Sequence, residues 1–115
     1  MKITIIGAGS WGTALAKLLA DNRQEVLLYD RSPGTVEEIN NQHSNLTKLA
    51  NSYLPVTVKA TTDLSEALSF SDILVLSVPT KVIRGVLAEI AKLLTSPKLF
   101  VNTSKGLEPE TYKRV

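Results

Sequence analysis

Closely spaced glycines near the amino terminus follow a short apolar run and could shape a loop around phosphate groups. Directly after residues 2–6, the loop sequence is Gly7-Ala8-Gly9-Ser10-Trp11-Gly12. In such a loop Gly7 allows a tight turn, Gly9 lets the backbone approach a pyrophosphate, and Gly12 lets the following helix pack closely on the strand. The free amides and the positive dipole end of that helix then face the phosphates. Because a strand pattern precedes the motif and a helix pattern follows it, we predict a dinucleotide site.

Asp30 and Arg31 close the next apolar run and bear on which dinucleotide is bound. Asp30 follows Gly12 by 18 residues, near the spacing of about 20 at which an acidic residue accepts hydrogen bonds from the ribose of NAD. This carboxylate would repel the 2′-phosphate of NADP, whereas the guanidinium of Arg31 can pair with it. The alternative for Arg31 is a solvated surface side chain. The pair therefore leaves both NAD and NADP open as the cofactor.

Two later apolar runs end in segments that could border the same cleft, Val78-Pro79-Thr80 and Thr103-Ser104-Lys105-Gly106. In open parallel sheets ligands bind beyond the carboxyl ends of the strands, so we expect both segments near the nicotinamide half of a dinucleotide. Lys105 offers a movable positive charge for a substrate phosphate or carbonyl, or else is a solvated lysine. Pro79 is expected beside the cofactor, and its first role is to stop the strand.

The single tryptophan and the single histidine are the other side chains of interest. Trp11 lies inside the glycine loop, where it either packs beside the cofactor or covers an apolar edge left for a partner domain. His43 lies in a polar stretch with no acidic residue at a spacing that would support catalysis. We therefore assign His43 no catalytic role.

The apolar pattern predicts a scaffold that brings these strand ends together. Strand-like and helix-like segments alternate, which is typical of βαβ units and a parallel sheet. Strands are predicted at residues 2–6, 25–30, 56–61, 72–78 and 98–103, and helices at 11–21, 32–39, 63–69 and 82–94. We expect an α/β fold of the Rossmann type, a doubly wound and mainly parallel sheet with strand order 3-2-1-4-5.

Local signals mark several of the predicted helix ends. Ser32-Pro33 has the form of an N-cap followed by proline at the first helical position. Asp63 and Glu66 have the spacing of a capping box, and Asn22 stands where a helix could end in a left-handed residue. Residues 40–55 contain many asparagines and serines and close at Pro55, and they receive no assigned role.

Composition excludes several classes of protein. The chain has 115 residues, the size of one domain, and a formal charge of +2, too small an excess to indicate binding to nucleic acid. It has no cysteine, which excludes a disulfide scaffold, a thiolate zinc site and a cysteine nucleophile. No apolar run is long enough to cross a membrane, the amino terminus is a poor signal peptide, and no metal site is predicted. We expect a cytoplasmic protein.

Four segments together resemble the N-terminal domain of bacterial-type NAD(P)-dependent glycerol-3-phosphate dehydrogenases. They are Gly7-Ala8-Gly9-Ser10-Trp11-Gly12-Thr13-Ala14, Ala60-Thr61-Thr62-Asp63-Leu64, Ser77-Val78-Pro79 and Ser104-Lys105-Gly106-Leu107-Glu108. The resemblance covers essentially the whole chain. The family usually has two Leu-Pro pairs before the second segment, whereas this chain has only Tyr53-Leu54-Pro55, and that loop is given no role.

The resemblance implies an activity and a set of site residues. The family reversibly reduces dihydroxyacetone phosphate to sn-glycerol 3-phosphate, a precursor of glycerophospholipids, by hydride transfer from NAD(P)H. Ser10, Trp11 and Arg31 would bind the dinucleotide, and Lys105 would contact both cofactor and substrate. The proton-transfer lysine of the family belongs to a helical C-terminal domain, which residues 1–115 do not include. The chain alone is therefore expected to bind cofactor, to catalyse nothing, and to expose apolar surface through which it forms homodimers.

Two other interpretations stay open at the level of sequence. One is a different two-domain NAD(P)-dependent reductase, such as a ketopantoate reductase or a hydroxyacyl-CoA dehydrogenase, against which the Ser-Lys-Gly-Leu-Glu run argues. The other is a nucleotide-sensing domain without chemistry, in which Lys105 would have no obvious task.

Overall fold

Five parallel strands form one sheet in the order β3-β2-β1-β4-β5 in the computed structural model, which describes residues 1–50 and 52–103. The elements are β1 (Lys2–Ile6), α1 (Ser10–Asp21), β2 (Glu25–Tyr29), α2 (Pro33–Gln42), β3 (Lys59–Thr61), α3 (Leu64–Phe70), β4 (Ile73–Leu76), a 3-10 turn (Thr80–Val82), α4 (Ile83–Leu93) and β5 (Leu99–Asn102). The predicted Rossmann-like fold and strand order are confirmed.

The central strands are apolar on both faces because helices cover the sheet from both sides. Ile5 is fully buried and lies in register with Leu28 of β2 and Val75 of β4. Alternate residues of a strand point to opposite faces, so Ile5 joins one core cluster and Ile6 joins the other. The fold is therefore a three-layer sandwich in which the carboxyl ends of β1, β2 and β4 lie along the same edge of the sheet.

Each core cluster lies between one face of the sheet and the helices that pack on that face. The first cluster contains residues from α1, α2 and the segment before β3, including Ala16, Ile39 and Val58. The second contains Ala67 of α3 and Ile90 of α4. On that second face the hydroxyl of buried Thr4 donates to the carbonyl oxygen of Ala67 at 2.8 Å, so the polar atom on the strand is paired.

Four predicted strands are shorter in the structure than in the sequence pattern, and the third and fourth differ most, by three residues each. The third was predicted from residue 56, but β3 spans only Lys59–Thr61 because a turn precedes it, with the Val58 amide donating to the Pro55 carbonyl. The fourth was predicted through residue 78, but β4 ends at Leu76. There the Ser77 amide still bonds to the Ile6 carbonyl, while the Ser77 side chain turns toward the glycine loop.

The left-handed residue at the end of α1 is Arg23, with φ 67°, and not Asn22, so that prediction was wrong by one residue. The Arg23 amide bonds to the Ala20 carbonyl and the Gln24 amide to the Leu19 carbonyl, which is the Schellman pattern. The Asn22 side chain instead donates to the Leu18 carbonyl at 2.9 Å. Asn22 thus satisfies a helix carbonyl with its amide group, and the next residue makes the turn.

At the start of α3 the predicted capping box is completed through a third residue. Asp63 accepts from the amides of Ser65 and Glu66, as expected of an N-cap. The Glu66 carboxylate does not reach back to the Asp63 amide. It accepts from the Thr61 hydroxyl at 2.6 Å, and the Thr61 oxygen accepts from the Asp63 amide at 3.0 Å.

None of the helices within residues 1–50 and 52–103 has the length and apolar character needed to cross a membrane.

Candidate functional site

The glycine loop joins β1 to α1 at the carboxyl edge of the sheet. Gly7 has φ +110° and its amide bonds to the Tyr29 carbonyl at 2.8 Å. Gly9 is the N-cap of α1 in an extended conformation, and no side chain caps the helix or places a negative charge in its first turn. The first amides of α1 therefore lack the usual side-chain acceptor, and the positive end of the helix dipole is not neutralised locally. This arrangement favours an anion.

The structure distinguishes the three glycines by what a β-carbon would meet. At Gly7 it would lie 2.9 Å from the Ser77 carbonyl oxygen, in a backbone conformation that L side chains rarely adopt. At Gly12 it would overlap the Gly7 carbonyl oxygen and the Ser77 hydroxyl. At Gly9 it would meet nothing within 4 Å. Gly7 and Gly12 are thus required by the fold, whereas Gly9 is not, and the space beside it is open.

Two polar side chains that the sequence analysis did not select hold this loop. The Ser77 hydroxyl, beyond the end of β4, donates to the Gly7 carbonyl at 2.9 Å. The amide of buried Asn45 donates to the Ala8 carbonyl and to the Thr13 hydroxyl, both at 2.9 Å. Ser77 belongs to a segment quoted for the family resemblance, but no spacing in the sequence linked either residue to the glycines.

Asp30 lies at the end of β2 and is bonded to the glycine loop. One carboxylate oxygen accepts from the Ala8 amide at 3.0 Å, and the other accepts from the Ser32 amide at 3.1 Å. The carboxylate therefore connects the loop to the start of α2, a contact that the sequence analysis did not foresee. Each oxygen keeps a further lone pair, so these bonds are compatible with a ribose hydroxyl donating to the same group.

The remaining predicted site residues lie along the same edge, with one exception. Arg31 is exposed and forms no ion pair with the residues that the structure describes. Ser10 is exposed and Trp11 is 50% exposed at the start of α1. Pro79 is exposed beyond β4, and its carbonyl accepts from the Val82 amide in the 3-10 turn. Lys105 lies outside the described residues.

Tyr29, which precedes Asp30, shows the clearest electrostatic perturbation near this edge. Burial raises the pKa of its phenol above the ordinary value, and the negative charge of Glu89 raises the pKa further. The phenol therefore stays protonated and neutral over a wider pH range than that of a solvated tyrosine. Its ring packs against the second core cluster, so we regard it as a core residue.

The segment carrying His43 contributes structure to the site and shows no sign of catalytic chemistry. His43 ends α2 in a left-handed conformation, φ 55°, and its carbonyl accepts from the Leu54 amide at 2.7 Å. Among residues 1–50 and 52–103, no group of three or more His, Asp or Glu side chains is placed to hold a metal ion. The arrangement at this edge is one for holding an anionic ligand on backbone amides.

Comparison with known proteins decides the family. The model of the family described as NAD-dependent glycerol-3-phosphate dehydrogenase N-terminus matches residues 2–115. The chain belongs to this family.

Curated relatives and a solved structure agree with this assignment. A glycerol-3-phosphate dehydrogenase [NAD(P)+] from Onion yellows phytoplasma is 53% identical over all of the chain and 34% of the relative, and one from Bacillus pumilus is 46% identical over 99% of the chain and 33% of the relative. A crystal structure of glycerol-3-phosphate dehydrogenase from Coxiella burnetii aligns with 97% of the chain and 35% of its own length, at TM-score 0.86 and 31% identity. The chain therefore spans about a third of the relatives that it matches.

Proposed function

We propose that this chain is the dinucleotide-binding domain of an NAD(P)-dependent sn-glycerol-3-phosphate dehydrogenase. The observation that carries the proposal is the open position at Gly9 beside the uncapped amino terminus of α1. Open space, unpaired amides and the absence of a nearby acidic side chain in the first turn are what a pyrophosphate requires. Names of relatives at 46% and 53% identity favour glycerol 3-phosphate chemistry over that of other two-domain reductases.

The chain's own residues would divide the work of binding. The backbone at Gly9 and Ser10 would receive the pyrophosphate, and the half-exposed indole of Trp11 would lie along the dinucleotide. Asp30 would accept from the ribose, and Arg31 would meet the 2′-phosphate when NADP is bound. Pro79 would border the nicotinamide half, on the evidence of its place beyond β4. Lys105, assigned from the family resemblance, would contact both the cofactor and a phosphorylated substrate.

The reaction of the complete enzyme needs residues beyond this chain. Bound NAD(P)H supplies a hydride to the carbonyl carbon of dihydroxyacetone phosphate, and a proton is added to its oxygen. The part of the relatives that this chain does not span is the expected source of the proton donor. We therefore propose that the chain alone binds cofactor without turnover. We also propose that the full enzyme works in the cytoplasm, because a chain without cysteine fits a reducing compartment.

The test is the substitution Gly9→Val followed by calorimetric titration with NADH and NADPH. The side chain would occupy the open space that the pyrophosphate needs, so affinity should fall by about a hundredfold for both cofactors. Folding should survive, because a β-carbon at this position meets nothing within 4 Å.

Gly85→Val is the matched control. Gly85 is an exposed residue of α4 at which a β-carbon also meets nothing within 4 Å, and affinity should stay at the wild-type value. A Gly9→Val protein that folds and binds both cofactors as tightly as the wild type would refute the proposed phosphate site.

A further inference from the structure

Asn45 ties the segment between α2 and β3 to the glycine loop. It is 1% exposed, and its side-chain nitrogen donates to the Ala8 carbonyl and to the Thr13 hydroxyl, both at 2.9 Å. The contact with Ala8 crosses 37 positions of sequence. Asn45 is therefore a long-range bridge from a polar segment to the loop that we propose as the phosphate site.

The orientation of the Asn45 amide follows from its partners. The Ala8 carbonyl can only accept, so the NH₂ group and not the oxygen must face it. The oxygen of the same amide is buried without a hydrogen-bond partner among the described residues. Burying an unpaired oxygen costs free energy, so internal stability alone is a poor explanation for an asparagine here. The two donated bonds are what the side chain provides.

Those two bonds act on the part of the loop that carries Gly9. The Ala8 amide is already held by Asp30, and Asn45 holds the Ala8 carbonyl, so both peptide groups flanking Ala8 are pinned. Through Thr13, in the first turns of α1, the same side chain also links the loop to the helix. The direction of the free amides at the start of α1 is thereby set before any ligand arrives.

The surrounding segment is organised to present Asn45. One carboxylate oxygen of Glu38 on α2 accepts from the Ser44 hydroxyl at 2.7 Å and from the Leu46 amide at 2.9 Å. Glu38 thus holds the residues on either side of Asn45. The Asn45 carbonyl in turn accepts from the amides of Lys48 and Leu49, so the backbone at Asn45 is held from both directions.

From this geometry we propose that Asn45 is a positioning residue for dinucleotide binding, acting through the shape of the glycine loop. The inference rests on the proposed function, because it names how that site is kept ready for the phosphates. A loop already in its bound shape loses less conformational freedom on binding, and that saving raises affinity. Asn45 itself needs no contact with the ligand.

The experiment compares Asn45→Leu with Asn40→Leu, in which a side chain with the same branching but no hydrogen-bonding group replaces each amide. Asn40 is the matched control because it also forms two bonds, donating to the Ala60 carbonyl at 2.9 Å and accepting from the Ala60 amide at 2.8 Å, but on β3. Titration with NADPH, followed through the single tryptophan, Trp11, should show affinity about tenfold weaker for Asn45→Leu and unchanged for Asn40→Leu.

A second measurement separates positioning from general loss of stability. Acrylamide quenching of Trp11 in the ligand-free proteins should differ from wild type in Asn45→Leu and match wild type in Asn40→Leu, although both substitutions should lower the midpoint of urea unfolding. A stability effect alone would change neither affinity nor quenching in the folded fraction.

The outcomes distinguish this inference from the proposed function. If the wild-type chain binds neither cofactor, the proposed function fails and this inference fails with it. If the wild type binds and Asn45→Leu binds equally well, only the role of Asn45 is overturned. Should Asn45→Leu not fold, Glu38→Ala removes the support one step away, and we expect affinity about threefold weaker. Wild-type affinity in Glu38→Ala would then overturn the proposal.

Discussion

Asp30 and Arg31 are adjacent residues whose side chains differ in how firmly hydrogen bonds and ion pairs hold them. The Asp30 carboxylate is held by two backbone amides, whereas Arg31 is exposed and pairs with no acidic group in the described part of the chain. An acidic residue at this position usually repels a 2′-phosphate, but the negative charge of Asp30 is partly offset by the amides that donate to it from the glycine loop and the start of α2. The arginine that can attract that phosphate is free to move toward it.

Replacement of Arg31 should therefore affect the two cofactors unequally. Arg31→Ala removes a guanidinium that can pair with a 2′-phosphate, and NADPH affinity should fall by about tenfold while NADH affinity changes little. Parallel titrations with both cofactors measure the difference. Arg84→Ala, at an exposed arginine on α4, serves as the control for loss of positive charge. Equal losses for NADPH and NADH in Arg31→Ala would show that Arg31 does not contact the 2′-phosphate.

At the scale of elements, the sequence predicted the helices and strands, which follow from local patterns of residues, and missed hydrogen bonds between side chains and backbone groups far apart in the chain. Apolar periodicity predicted all five strands and the four helices, the Rossmann-type assignment supplied the strand order, and the glycine loop was placed correctly between β1 and α1. The bonds from Asn45 and Ser77 to the loop were missed, because they join residues 37 and 70 positions apart. The Thr61 bridge at α3 was missed because a competing hydroxyl lay just outside the capping-box pattern.

The approach of α1 to β1 gives a prediction about stability. Gly12→Ala places a β-carbon against the Gly7 carbonyl and the Ser77 hydroxyl, so the helix or the loop must shift. Overpacking of this kind costs about 1–3 kcal/mol of unfolding free energy. Urea unfolding followed by circular dichroism measures the cost. Gly85→Ala on α4 should be neutral or slightly stabilising, because its β-carbon is unobstructed and alanine favours a helix. Equal unfolding midpoints for Gly12→Ala and wild type would contradict the packing role.

At the scale of the whole molecule, β5 differs from the other strands. Leu99, Phe100 and Val101 are 61%, 40% and 39% exposed, whereas Leu74, Val75 and Leu76 of neighbouring β4 are buried. Because successive side chains point to opposite faces, β5 exposes apolar groups on both faces, and among the residues that the structure describes it is also an edge strand. An edge strand with apolar faces can pair with another chain.

We predict that the isolated chain associates through β5 as its concentration rises. Sedimentation velocity over a concentration series should show a growing dimer fraction, and Val101→Lys should weaken dimerisation by about tenfold, since it removes apolar area and adds a charge at the edge. Leu18→Lys is the matched control, because Leu18 is an apolar residue with 58% exposure on α1, a helix that packs against β1 and β2. A monomer at every concentration, or equal weakening by both substitutions, would show that β5 does not form the contact. Loss of association in Val101→Lys alone would identify β5 as the apolar surface that drives it.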